Sequence, residues 1–343
     1  MAGRRREIED QDLSLAARAA WLSHIGGQTQ SQIAQRLGIS PAKAHRLIAL
    51  AHSQGLVRVF IDGVPTECLE LEMRLAGHFG LENCIVAPSV GDEGDAATGF
   101  LPVGVAAARL LHGLIEGSGP LLIGVGKGRS LAAMVNNLPP LDRPDLKFVS
   151  VSGSLTRNLA ANPFDVVHRL VERTGGEGYF LPVPYIAASE EEKALLLAQK
   201  SVQDLISLAR KAEIFVIGIG AVVGDAHVRQ VGMVGEPEWR ELRSKGAVGD
   251  VMGSFVDANG TPVAAEINRR TLGLSIDDLR GRRVIAVAGG SGKADAVVGA
   301  LRTGAITDLV LGESVARQMA AQFDPPRAGK GKGKSNGKQQ VAV

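Results

Sequence analysis

Cysteine is nearly missing from this chain of 343 residues, and the two present, Cys68 and Cys84, are too few for a disulfide framework or a four-ligand zinc site. A reducing compartment fits, and neither thiol is expected to carry chemistry. No apolar run approaches the ~20 residues of a membrane span, and the opening MAGRRREIED lacks the apolar region of a signal peptide. A cytoplasmic protein without a membrane partner is therefore expected. The 43 glycines follow no period of three, which excludes collagen and points to many tight turns. A hydrophobic content of 45% against 22% charged residues excludes wholesale disorder. The length is about twice the usual ~150 residues of one domain, so two domains of unequal size are expected.

Acidic residues are absent from one long stretch. Residues 13 to 61 carry Arg18, Arg36, Lys43, Arg46 and Arg58 and neither Asp nor Glu. The tail from Asp324 holds Arg327, Lys330, Lys332, Lys334 and Lys338, so residues 62–323 carry a net −6 although the whole chain is only +2. Such asymmetry is the footprint of a basic nucleic-acid module joined to an acidic body. Residues 1–12 are expected to be flexible.

The basic stretch is patterned for three short helices. Leu15, Ala16, Ala19, Ala20 and Leu22 place an apolar face on a helix over 13–24, which Gly26-Gly27 ends. Thr29 is set to cap a second helix with Ile33, Ala34 and Leu37 inward, stopping at Gly38. Ser40 and Pro41 then open a third helix through Ala44, Leu47, Ile48 and Ala51. This is a helix-turn-helix pattern, and Leu56 to Ile61 alternates like the edge strand of a wing. In such a motif the third helix enters the major groove of double-stranded DNA, here showing Ser40, Ala42, Lys43, His45 and Arg46. Gln28, Gln30 and Ser31 stand where the second helix can meet a phosphate, and Arg58 lies in the wing. Any small three-helix unit shares part of this pattern, and a charge run can be only a solvated face. The agreement of caps, turn glycine, apolar spacing and missing acids favours the DNA-binding reading. The segment TQSQIAQRLGISPAKAHRLIALAHSQGLVRVFI resembles the DNA-binding module of the SorC-type, DeoR-related bacterial transcriptional regulators.

Turn residues at 62–66 mark a linker, and a helix is expected from Glu67, with Cys68, Leu71, Leu75 and Phe79 forming a stripe for its own domain or for a second copy. Helix-turn-helix proteins commonly read two half-sites, so a homodimer or homotetramer is expected. Beyond lie strands expected at 83–87, 121–125, 147–151, 214–219, 284–288 and 308–311. They alternate with helices at 95–114, 130–138, 164–174, 190–199, 202–211 and 292–302. This is the α/β pattern of a Rossmann-like parallel sheet, running to about 323 and followed by a basic tail, 324–343, without apolar content and expected to be disordered. That tail either adds nonspecific DNA affinity or only solubilises.

Ligands of such sheets bind beyond the carboxyl ends of the strands. There the segment Gly126, Lys127, Gly128, Arg129, Ser130 runs from a strand into a helix, as an anion cradle or as a packing turn. It is neither a Walker loop nor a GxGxxG fingerprint, and no cofactor is implied. Ser152-Gly153, Gly218 to Gly220 and Gly289 to Lys293 are further polar strand ends. His168 and His227 stand alone without metal-ligand spacing. Asp250 and Asp257, in a glycine-rich loop, serve as acid or base, or as turn and hydroxyl acceptors. No catalytic constellation is assembled.

The resemblance extends over residues 13–320 through GVGKGRSLAA, ERTGGEGYFLPVP, VIGIGAV, GAVGDVMGSFVDANG, LGLSIDDLR and VIAVAGGSGKADAVVGALR, which look like the sugar-binding domain of SorC-type regulators. It implies a winged helix-turn-helix followed by a domain similar in fold to ribose-phosphate isomerases and glucosamine-phosphate deaminases. It also implies regulation of a carbohydrate or polyol catabolic operon by a phosphorylated sugar or polyol acting as effector, not substrate. By position, Gly126 to Ser130 would hold the phosphate. Ser152, Asn162, Arg229 and Asp250 would line the sugar, and Lys293 would reach it. The chain departs from some relatives at 127–129 and at Ser152, which bears on the effector's size and phosphorylation. The alternative is a sugar-phosphate isomerase or deaminase with an accessory DNA-binding domain, for which the fold alone does not discriminate.

Overall fold

Residues 12–57, 63–90, 99–153, 166–224, 226–230 and 232–323 are described by the computed structural model. The expected flexible N-terminus up to 11, the wing from Arg58, the start of the linker, Asn162 and the basic tail lie outside them.

The N-terminal unit is a helix-turn-helix built by local rules. Helix α1 covers 12–20 and ends not as a plain α-helix but in a π-helical turn, Trp21–Ile25. Helix α2, Gln30–Leu37, starts with a capping box in which the Gln32 amide donates to Thr29 Oγ1 (3.4 Å) and the Thr29 amide donates to Gln32 Oε1 (2.8 Å). Gly38 closes it at φ +65°, a backbone that favours glycine. Ser40 Oγ accepts from the Lys43 amide at 3.2 Å and Pro41 opens helix α3, Pro41–Ser53. Ala16, Ala19, Ala20, Ala34, Ala44 and Ala51 around Ile33 and Leu47 make a core of small side chains, so the helices pack closely.

The large domain is a nine-stranded sheet: β1 (Asn83–Ala87), β2 (Leu122–Val125), β3 (Lys147–Ser150), β4 (Glu177–Tyr179), β5 (Ile214–Ala221), β6 (Gly249–Val251), β7 (Ser254–Val256), β8 (Arg283–Ala288) and β9 (Asp308–Gly312). Seven strands run parallel in the order β1-β9-β8-β5-β2-β3-β4, while β6 and β7 form an antiparallel hairpin on the far end of β5. All six expected strands are present to within two residues. The segment around Asp250, expected as a glycine-rich loop, is instead this hairpin. Its two turn residues, Met252 and Gly253, both take positive φ, which lets two short strands pair where no apolar run announces them.

The helices are α4 (Thr66–Phe79), α5 (Leu101–Glu116), α6 (Arg129–Asn137), α7 (Val167–Thr174), α8 (Glu190–Ala198), α9 (Lys200–Ala209), α10 (His227–Gln230), α11 (Glu236–Ser244), α12 (Glu266–Arg270), α13 (Ala294–Arg302) and α14 (Glu313–Phe323). The helix expected from Asp95 is seen to begin at Leu101, with 91–98 outside the described residues, and the one expected from Gly292 begins at Ala294 because Gly292 takes φ +67°. Two apolar clusters cover the two faces of the parallel sheet, and a third, around Trp239 and Phe255, sits over the hairpin. The stripe on α4 packs inward: Cys68, Leu71 and Leu75 join the core, and Phe79 meets Phe323 of α14 with ring centres 5.3 Å apart. Glu72 of α4 accepts from the Val86 amide of edge strand β1 at 2.9 Å. No helix among the described residues is long and apolar enough to cross a membrane.

At the amino ends of the strands, fully buried Asp308 of β9 accepts from Asn83 (2.7 Å) of β1, Arg283 (2.8 Å) of β8 and Thr307 (2.7 Å). Removing this shared acceptor takes a partner from all three donors, of which Thr307 keeps the Val284 carbonyl at 3.3 Å. Asp308→Ala should lower the unfolding free energy by about 3 kcal/mol in urea titrations. A loss below about 1 kcal/mol would show that the three strand ends do not depend on it.

Candidate functional site

From β2 the chain winds to β3 and β4 on one side, and from β5 it winds to β8 and β9 on the other. The reversal leaves a crevice beyond the carboxyl ends of β2 and β5. A cavity of about 160 Å³ occupies it, room for roughly ten to fifteen water-sized atoms. It is lined by the loop after β2, the end of β5, the β6–β7 hairpin and the loop after β8, with Phe100, Ser152, Tyr185 and, beyond β5, Val223, Ala226, Val228 and Met233 adding to the wall.

The loop after β2 is shaped by glycine. A Cβ on Gly126 would lie 3.3 Å from the Ile217 Cα, and Gly128 takes φ +126° as it caps α6. The first-turn amides of α6 therefore open the helix at the cavity, unpaired within the helix as at any helix start. Ser130 lines the cavity, but its Oγ accepts from the Gly289 amide (2.9 Å), tying α6 to the end of β8. Lys127 donates to the Gly153 carbonyl and lies 3.8 Å from the centre of the Tyr185 ring, while the Arg129 guanidinium lies 4.8 Å from the Phe100 ring. Lys293 donates to the Ile219 carbonyl at 2.8 Å.

Asp250 is the carboxylate among these cations. Buried on β6, it accepts from the Tyr185 hydroxyl (3.1 and 3.3 Å) and from the Gly253 amide (2.6 Å). Burial pushes its carboxyl up to about 6, against the opposing pull of those two hydrogen bonds and of Lys127 and Lys293. Burial and the nearby Arg129 charge bring Lys293 down to about 8, with Asp250 resisting. Burial and Asp250 hold the Tyr185 phenol well above its ordinary value, so it stays a donor.

Gly126, Lys127, Gly128, Arg129, Ser130, Ser152, Asp250 and Lys293 thus meet in one cavity. Two expected members do not line it. Gly153 only offers its carbonyl to Lys127, and Arg229 turns to α11, where it pairs with Glu236 (2.5 Å), donates to the Gly224 carbonyl (3.0 Å) and lies over Trp239. Asp257 is a turn residue whose carboxylate accepts from the Asn259 and Thr261 amides at 2.9 Å each. His168 is exposed beside Glu172, and no cluster among the described residues could hold a metal. Tyr185, Phe100 and Met252 line the cavity without any sequence signal that selects them; a buried tyrosine would have needed a known partner to stand out.

On the helix-turn-helix, Ser40, Ala42, His45 and Arg46 of the third-helix region are exposed and Lys43 is half-buried, although Ser40 spends its hydroxyl on the cap. Gln30 and Ser31 are exposed at the start of α2. Gln28 is half-buried, with its Oε1 buried and without a partner.

A family model for a sugar-binding domain matches residues 64–321. The erythritol catabolism regulatory protein EryD of Brucella abortus (strain 2308) is 42% identical over 315 residues, which cover 92% of this chain and 99% of that protein. The transcriptional regulator LsrR of Enterobacter sp. (strain 638) is 32% identical over 90% of this chain and 93% of its own length. Among solved structures, the full-length sorbitol operon regulator SorC of Klebsiella pneumoniae superposes with a TM-score of 0.65 at 25% identity, covering 90% of this chain and 99% of that one. A domain of a sugar-binding transcriptional regulator from Arthrobacter aurescens TC1 gives 0.68 at 27% identity, over 76% and 100%. These relatives are transcriptional regulators and not enzymes. With a sugar-binding domain matched over residues 64–321 and a 42% identical regulator aligned over 92% of its length, the chain belongs to the family of SorC-type sugar-binding transcriptional regulators.

Proposed function

We propose that this regulator works in the cytoplasm as a homodimer or homotetramer, gripping double-stranded operator DNA through α3. We further propose that its operator affinity is set by a phosphorylated short polyol held in the crevice between β2 and β5. The observation that carries the effector is the meeting of Lys127, Arg129 and Lys293 with the start of α6, around the buried Asp250–Tyr185 pair. Cations and helix-start amides suit a phosphate, and a carboxylate suits polyol hydroxyls. A four-carbon polyol phosphate, about a dozen non-hydrogen atoms, fits the cavity's volume. The similarity to the erythritol regulator supports the same chain length. Asn162, proposed to join the sugar side, lies outside the described residues, and Arg229 would have to leave Glu236 to take part.

On the DNA side, Arg46→Ala should weaken specific operator binding by about 1–3 kcal/mol and relax the choice of one base pair, with effector binding unchanged. Fluorescence anisotropy against operator and random duplexes checks this. An equal loss on both would reduce Arg46 to a phosphate contact.

Effector and operator sites must be coupled reciprocally, so erythritol phosphate should change operator affinity by the factor by which DNA changes its own affinity, typically about 5- to 150-fold. Arg129→Glu should abolish binding of the phosphorylated compound, and Lys293→Ala should weaken it less, both read by calorimetry. A parent protein that prefers the free polyol would refute the phosphate cradle.

Effector affinity should also depend on pH. Asp250 becomes the better hydroxyl acceptor as it ionises above about 6, and Lys293 loses its charge above about 8, so binding should peak between those values. Asp250→Asn should flatten the acid arm for the free polyol, whose own charge does not change, and Lys293→Met the alkaline arm for the phosphate. A parent profile flat from pH 5 to 9 would remove both groups from the site.

A further inference from the structure

The turn between β6 and β7 consists of two residues, Met252 and Gly253, with φ of +51° and +90°. A hairpin turn with left-handed backbone at both positions favours Asn, Asp or Gly at the first, because a Cβ there crowds the following carbonyl oxygen, which glycine avoids and Asn or Asp offsets by a local hydrogen bond. Met252 is the one non-glycine residue at positive φ among those described. The turn itself is constrained. A Cβ on Gly253 would lie 2.1 Å from Thr271 Cγ2, and the Gly253 amide holds Asp250 at 2.6 Å. Methionine at position 252 is not dictated by the turn, which Gly, Asn or Asp would satisfy better. Observed strain of this kind concentrates where a site uses it.

Met252 lines the cavity between β2 and β5 and is only 7% exposed. It stands two residues from Asp250, on the same wall as Phe255 and Tyr185. Its unbranched thioether chain presents apolar, polarizable surface of adaptable shape beside groups suited to hydroxyls and phosphate. A polyol is amphiphilic in the same way, with C–H faces between its hydroxyls. We propose that Met252 is a specificity-determining residue of the effector site, packing against the carbon chain of the bound polyol and limiting its length. The assignment rests on the reading of this crevice as the effector site.

The test uses the full chain and three variants, Met252→Asn, Met252→Gly and Met252→Leu. Melting temperatures are measured, together with affinities for erythritol phosphate, sorbitol 6-phosphate and inorganic phosphate. Asparagine suits the turn, so its melting temperature should stay within about 4 °C of the parent, the relieved strain offsetting lost packing. It should nevertheless bind erythritol phosphate about tenfold more weakly, having lost the apolar surface. Inorganic phosphate, which touches only the loop and its cations, should bind all variants within about twofold. Leucine should stay near the parent, and glycine should shift preference toward the longer sorbitol 6-phosphate. An asparagine variant that binds erythritol phosphate like the parent overturns the role of Met252 alone. So does a parallel loss of erythritol phosphate and inorganic phosphate binding with a fall above about 8 °C, which would make the residue a packing element. A parent that binds none of the three ligands overturns the effector reading and this inference with it.

Discussion

The parallel pairing of β2 with β5 sets the layout of the large domain, because it joins strands whose onward connections wind in opposite directions. The pairing Ile123 to Val125 against Ile214 to Val216 is possible only if β2 is thin at its centre. A Cβ on Gly124 would lie 2.4 Å from the Phe215 ring, so the side chain of one strand fills the gap left in the other. Gly126 continues this close approach past the end of the strand, against Ile217. The crevice is the space left when two strand ends are held this close and their chains leave in opposite directions.

What fills the mouth of the crevice is a balance between burial and charge. Asp250 and Lys293 are opposite charges taken out of water, and burial moves each toward its neutral form, to about 6 and about 8. Between those values both stay charged at a cost that the Tyr185 hydroxyl, the Gly253 amide and the Ile219 carbonyl offset only in part. A ligand that completes the hydrogen bonding of these groups gains more than one meeting fully solvated charges. This suits a protein whose task is to sense a small hydroxylated molecule rather than to transform it.

The helix-turn-helix was legible because its rules act over a few residues. The Thr29–Gln32 capping box, the Ser40 cap and the left-handed Gly38 are contacts within one turn of chain, visible as spacing. The parallel strands were legible for a related reason, since a strand buried on both faces needs a continuous apolar run. The hairpin at Asp250 was not, because three-residue strands rich in glycine carry no such run and exist through pairing with the end of β5. For Gln28, too, packing decided what spacing did not show, since the side chain is half-buried with its carbonyl oxygen enclosed.

The helix-turn-helix, six of the strands and the glycine-rich loop can be read from neighbouring residues alone, since each is encoded by local backbone preference and apolar period. Which side chains share the cavity depends instead on long-range packing. Tyr185 meets Asp250 across 65 residues, Phe100 folds onto the loop bearing Arg129, and Arg229 is drawn off to Glu236 and Trp239. Such choices follow from where separate elements come to rest, and a preference read over a handful of neighbouring residues holds no information about them.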